Sequence, residues 1–136
     1  MRSNNRSLTI YIDGACIGNP GRAGIGIVIY NEEGKKLKEI SKSIGMATNN
    51  IAEYTALIFA LQEGLLLDCR EKMTVYTDSE LLYKQIKGEY KVKNDNLKLL
   101  IHLAKHLITG YKIFQIEHIG RELNKLADKL ASQAAD

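Results

Sequence analysis

NIAEYTALIFALQEGLLL (residues 50–67), followed by MTVYTD (residues 73–78), is the stretch whose reading decides the fold. In the first segment Ile51, Tyr54, Ile58, Leu61 and Leu65 recur at steps of three and four, the stripe of an amphipathic helix. Met73 to Thr77 then reads as a short strand ending on Asp78. Upstream, Leu8 to Ile12 reads as another strand that stops at Asp13-Gly14. A strand, a long helix and a second strand imply a right-handed crossover and parallel pairing.

Working outward, Ile25 to Tyr30 is a second strand, Asn31-Glu32-Glu33-Gly34 a turn, and Lys36 to Ile44 a third strand, so the opening third reads as an antiparallel meander. On the carboxyl side, Ser79 to Ile86 and Leu97 to Leu107 read as helices and Lys112 to Glu117 as a strand. Leu123, Leu126, Ala127, Leu130, Ala131 and Ala134 stripe a last helix. The order is βββαβααβα, an α/β fold with a five-stranded mixed sheet flanked by helices.

The 136 residues suit one domain, 1–136, with residues 1–7 expected to be a flexible amino terminus. A hydrophobic fraction of 45% and a charged fraction of 26% are those of an ordinary soluble protein. No apolar run reaches membrane-spanning length and no apolar segment follows Arg2 and Arg6 as a signal peptide would require, so a cytoplasmic location and a monomer are expected. Cys16 and Cys69, without a CxxC pair, argue against a disulfide or zinc framework. The net charge is only +3, but between Lys84 and Lys112 seven lysines face just Glu89 and Asp95, which suits a polyanionic partner.

Ile10-Tyr11-Ile12-Asp13 and Val75-Tyr76-Thr77-Asp78 end alike. On parallel neighbouring strands the two aspartates would sit about 5 Å apart. At an effective dielectric near 20 they would repel by roughly 3 kcal/mol, so a cation is expected between them. Each acid also has a plainer reading. Asp13-Gly14 can be a turn, Asp78 can N-cap a helix, Glu53 can complete a capping box with Asn50, and Asp128 can be a surface residue beside a lysine.

Four blocks together carry a family resemblance: Asp13-Gly14 through Asn19-Pro20-Gly21, Thr48-Asn49-Asn50-Ile51-Ala52-Glu53, Thr77-Asp78-Ser79, and His118-Ile119-Gly120 through Asn124 to Ala127-Asp128. In this order and spacing they resemble the signature blocks of type 1 ribonuclease H. The resemblance implies a ribonuclease H-like fold and hydrolysis of the RNA strand of RNA/DNA hybrids to 5′-phosphate and 3′-hydroxyl products. By it, Asp13, Glu53, Asp78 and Asp128 hold two Mg2+ ions, with Mn2+ able to substitute, in a two-metal mechanism. His118 matches a histidine that assists proton transfer or product release. Cys16, Asn19, Asn49 and Asn50 match residues that touch the minor groove of the hybrid, and Thr48 and Asn94 a pocket for a DNA-strand phosphate.

Two departures stand out: Arg121 occupies a position where relatives often carry histidine, and the segment between Gln85 and Leu97 is too short for the basic helical handle of some bacterial relatives. Lys84, Lys87, Lys91 and Lys93 can replace part of that handle. With seven residues ahead of the first strand, no separate hybrid-binding module is expected. Two rivals remain at this stage: a nuclease of the same fold acting on another substrate, and a non-catalytic nucleic-acid-binding member of the fold.

Overall fold

The computed structural model describes residues 6–136. Residues 1–5 of the expected flexible start lie outside the described residues, and Ser7 is already paired with Lys72. The elements are β1 (Ser7–Gly18), β2 (Gly21–Tyr30), β3 (Lys36–Ala47), α1 (Asn49–Leu66), β4 (Lys72–Thr77), α2 (Glu80–Ile86), α3 (Asp95–Ile108), β5 (Ile113–His118), a 3₁₀ turn (Arg121–Leu123) and α4 (Lys125–Ala135). Their order is the predicted one. The sheet runs β3-β2-β1-β4-β5, with β1, β2 and β3 antiparallel and β4 and β5 parallel to β1.

Alternation along the strands divides the core in two. Leu8, Ile10 and Ile12 of β1, Ile25, Ile27 and Ile29 of β2, and Met73 and Val75 of β4 point to one face. There they pack against Tyr54, Leu57, Ile58 and Leu61 of α1 and Leu97 and Ile101 of α3. On the other face α4 buries Ala127 and Leu130 against Val28. β2 is therefore covered on both sides, which is why its sequence is an unbroken apolar and glycine run rather than an alternating one.

Several sequence boundaries move, β2 starting at Gly21 rather than Ile25 and β3 ending at Ala47 rather than Ile44, and two of the shifts have a clear physical reason. β1 does not stop at Asp13-Gly14. Toward β4 its parallel ladder ends at Ile12 opposite Thr77, but toward β2 it continues to Gly18 opposite Gly21, closing a hairpin through a cis Asn19-Pro20 bond. Helix α1 is capped by Thr48 rather than Asn50, the Thr48 side-chain oxygen accepting from the Ile51 amide at 3.2 Å. The capping-box reading of Glu53 therefore fails, and its carboxylate points elsewhere.

Close approach fixes where α4 lies. Asp13 pairs with Gly26, and a methyl group on Gly26 would run into the carbonyl oxygen of Ala127 and lie 2.6 Å from the Ala131 amide nitrogen. Only a hydrogen at Gly26 lets the helix backbone rest on the strand, one residue from Asp128. Among the described residues no helix is long and apolar enough to cross a membrane. Gly26→Ala is expected to lower unfolding free energy by about 1–3 kcal/mol, measured by chemical denaturation, because backbone rather than a flexible side chain must yield.

Candidate active site

Three elements deliver carboxylates to the carboxyl end of the β1/β4 pair. Asp13 is the first residue of β1 past the parallel ladder and is 4% exposed. Asp78 follows the last rung of β4, so the two aspartates are neighbours across one strand spacing, as the sequence predicts. Asp78 is not a helix cap: Ser79 caps α2, its hydroxyl accepting from Leu82 N at 3.2 Å. Glu53 arrives from the second turn of α1, the helix starting at Asn49.

Gly14 makes the third approach possible. A Cβ there would lie 2.6 Å from the Ala52 carbonyl carbon and 2.7 Å from the Glu53 amide, so α1 rests directly on the strand. The Gly14 amide then donates to Glu53 Oε1 at 3.0 Å, aiming that carboxylate at Asp13. Asp13, Glu53 and Asp78 each offer an oxygen, and these oxygens lie within 4.8 Å of one another. Asp128, in the first turn of α4, stands outside this compact trio and joins it by meeting the Asp13 side chain.

Such a group is electrostatically unfavourable alone. Burial, then the charges of Glu53 and Asp78, push the Asp13 carboxyl far above the usual carboxylate range. Burial, then Asp78, push Glu53 up to about 8, although the Gly14 amide and the positive charge of Arg121 pull the other way. None of the ion pairs among the described residues involves these four acids. Hard oxygen donors, clustered and without a salt bridge among the described residues, fit a divalent hard cation.

Asn124, 1% exposed, closes the site from behind. Its Nδ2 donates to the Ile12 carbonyl at 2.8 Å and to Asp78 Oδ2 at 3.2 Å, while its own Oδ1 is buried without a partner. An unsatisfied buried acceptor costs about 1–3 kcal/mol. Sequence reading placed Asn124 in a motif block but gave it no role, because nothing in the local pattern shows where an amide side chain points.

The remaining predicted residues fall into two places. His118 ends β5, exposed, opposite Thr77 and stacked on the Tyr83 ring at 5.9 Å. Asn19, Thr48, Asn50 and Asn94 line one cleft of about 270 Å³, together with Ile51, Leu97 and the unforeseen Asn96. Asn19 Oδ1 accepts from the Asn49 amide at 3.0 Å, tying the β1–β2 hairpin to the start of α1, and Cys16 Sγ donates to the Ala47 carbonyl at 3.0 Å beside it. Asn94 caps α3, accepting from the Asn96 and Leu97 amides at 2.8 and 3.3 Å. The signal for Asn96 was the Asn-Asp-Asn run, which places a second amide in the first turn of α3. No helix stands between α2 and α3, in keeping with the missing handle. A larger cavity of about 530 Å³ lies between α4 and the β1–β2 face, lined by Tyr11, Tyr30 and Leu126, and holds none of the predicted site residues.

Comparison with known proteins agrees with this geometry. Residues 11–134 match the family model described as reverse transcriptase-like. Ribonuclease HI of Halobacterium salinarum is 38% identical over 126 residues, 93% of this chain and 63% of that protein. A bifunctional protein of Mycobacterium tuberculosis is 38% identical over 130 residues, 95% of this chain and 35% of that protein. The chain thus spans less than two thirds of the length of either relative. The solved structure of LC11-RNase H1 in complex with an RNA/DNA hybrid superposes with a TM-score of 0.89 at 41% identity, covering 95% of this chain and 96% of that one.

A carboxyl whose folded pKa is raised stabilises the fold below its unfolded pKa and loses that contribution as pH rises through the folded value. With Glu53 raised from 4.5 to about 8 and Asp13 also raised, metal-free protein is expected to lose stability between about pH 4.5 and pH 8. Asp13→Asn removes the repulsion, so in chelator the variant should gain stability over the parent by roughly 1–3 kcal/mol at pH 8 and little at pH 5. Melts that show the same difference at both pH values would contradict the electrostatic account.

Proposed function

The chain belongs to the type 1 ribonuclease H family, and on that premise we propose that it is a metal-dependent endonuclease that hydrolyses the RNA strand of RNA/DNA hybrids. The products are a 5′-phosphate and a 3′-hydroxyl. The observation that carries this reading is the meeting of Asp13, Glu53 and Asp78 within 4.8 Å, with Asp128 beside Asp13.

The four carboxylates hold divalent cations, Mg2+ in the cell and Mn2+ as a substitute. When bound, the ions neutralise charge on the scissile phosphate and activate the attacking water. The chain's own groups do the rest. Asp13 and Asp78, fixed to adjacent strands, set the spacing of the ligands, while Glu53 is held in place by the Gly14 amide. His118 lies one rung from Asp78 and, with an imidazole exposed to solvent, carries a proton toward or away from the reacting phosphate and eases product release.

The cleft suits the DNA strand. It sits at the amino termini of two helices, α1 capped by Thr48 and α3 capped by Asn94, where the helix dipoles favour an anion. Because Asn94 Oδ1 is engaged by two amides, its Nδ2 is turned outward as a donor for a phosphate oxygen. Cys16, Asn19, Asn49 and Asn50 then border the minor groove, where 2′-hydroxyls distinguish RNA from DNA. The handle's work falls to Lys84, Lys87, Lys91 and Lys93. Lys84 rests over the Tyr90 ring at 4.9 Å and Lys87 over Tyr83 at 5.8 Å, which orders their stems at the surface.

We also propose that the domain, residues 1–136, works as a cytoplasmic monomer, since one chain supplies all four acids and the cleft.

An end-labelled hybrid incubated with Mg2+ should be cut on its RNA strand only, with duplex DNA and branched DNA intact. Asp78→Asn should lower turnover by at least about 100-fold, and His118→Ala by about 10- to 100-fold. Binding of the hybrid without cutting, across Mg2+ and Mn2+ concentrations, would replace the proposal with that of a non-catalytic binder.

A further inference from the structure

Asn124 touches every strand and helix that carries an acid except α1. Its Nδ2 binds the carbonyl of Ile12, the residue before Asp13. The same nitrogen reaches Asp78 Oδ2 directly. Its backbone oxygen accepts the amide of Asp128 at 3.0 Å, opening the first turn of α4. Three of the four carboxylates are therefore located relative to one buried amide.

The orientation of that amide is determined by its surroundings. Both neighbours of Nδ2 are acceptors, a carbonyl and a carboxylate, so a flipped side chain would set oxygen against oxygen twice. The orientation that satisfies them leaves Oδ1 buried and unpartnered, a cost a structural asparagine in an ordinary helix start would not incur. A typical capping role is also absent, for no side-chain cap bond is made to α4. Helix capping does not account for this residue, whereas its bonds run to the acid Asp78 and to the residue before Asp13.

We propose that Asn124 is a positioning residue for the metal site, which holds Asp78 at a fixed angle and fixes α4, with Asp128, relative to β1. This rests on the metal-dependent nuclease reading above. Asn124 does not touch the substrate or the ions. It acts through Asp78, as hydrogen-bonded partners of metal ligands do.

The test uses Asn124→Ala, which removes the donor, and Asn124→Ser, which keeps a hydroxyl donor on a shorter arm, alongside Asp78→Asn and the double variant Asp78→Asn/Asn124→Ala. Calorimetric titration of the substrate-free proteins with Mn2+ measures metal affinity, circular dichroism melts measure folding, and hybrid cleavage gives kcat and KM. Expected are a loss of Mn2+ affinity and of kcat of about 10- to 100-fold for Asn124→Ala with KM for hybrid nearly unchanged, a smaller loss for Asn124→Ser, and a clearly smaller loss of affinity from Asn124→Ala once Asp78 is Asn than in the parent.

Unchanged Mn2+ affinity and kcat in a folded Asn124→Ala protein overturn the proposal, as do additive losses in the double variant or a fall confined to KM. If the alanine variant does not fold, Asn124→Ser carries the comparison by the same criteria. Failure of both to fold makes Asn124 a structural residue and overturns the positioning role. A parent protein that binds Mn2+ but cuts no hybrid defeats the nuclease reading instead, leaving the affinity comparison to decide the role of Asn124.

Discussion

Mutual repulsion between one buried carboxylate and its half-buried neighbours is the constraint around which this molecule is arranged. Three acid oxygens within 4.8 Å would relax apart if carried on loops. Here each is bolted to a different rigid element, and those elements are pressed together by a hydrophobic core that the acids take no part in. Burial of Leu8, Ile10 and Ile12 on β1 and of Tyr54, Leu57 and Leu61 on α1 supplies the force. Gly14 and Gly26 remove the side chains that would hold the elements apart. The acids raise one another's proton affinity as a result, and the site becomes one that a doubly charged cation relieves.

In the proposed function, recognition of substrate draws on a different physical resource. The cleft of Asn19, Thr48, Asn50 and Asn94 carries no formal charge among these residues and depends on helix ends and amide groups. That division is chemically sensible. A dense positive patch beside the acids would compete with metal for them, while neutral donors can grip a phosphate without doing so. The lysines proposed to supply long-range attraction stand on α2 and the segment after it, two of them propped on tyrosine rings. Arg121 is the exception, near enough to Glu53 to favour its ionised form.

Much of this was legible in the residues before any coordinates. Period-two and period-3.6 patterns, with an unbroken apolar run for β2, gave five strands and four helices, because an element buried on one face repeats its apolar residues at its own period while one covered on both faces is apolar throughout. Aspartates at the ends of two apolar runs gave the centre of the site. Boundaries that depend on a partner were not legible. Asp13-Gly14 resembles a strand end because it is one toward β4, while β2 carries the same strand five residues farther. Thr48 and Asn50 are both good caps on composition, and only the path of the chain from β3 selects Thr48. Asn124 was unreadable for the same reason, since its contacts lie 46 and 112 residues away in the chain.

The placement of α4 sets it apart from the other elements. It lies on the far face of the sheet, over a small cluster of Val28, Ala127 and Leu130, while the larger core sits on the opposite side. Ala131 and Ala135 are buried there too and the helix backbone rests on Gly24 and Gly26, but α4 leans on the strands alone, which makes it the natural unit for partial opening, in which the sheet and the larger core stay intact while the helix detaches. Each such opening withdraws Asp128 from the quartet and pulls on the Asn124 bond to Asp78, so the four acids should come apart before the sheet's spectroscopic signal is lost, and anything that clamps this helix down would widen the temperature range over which they stay assembled.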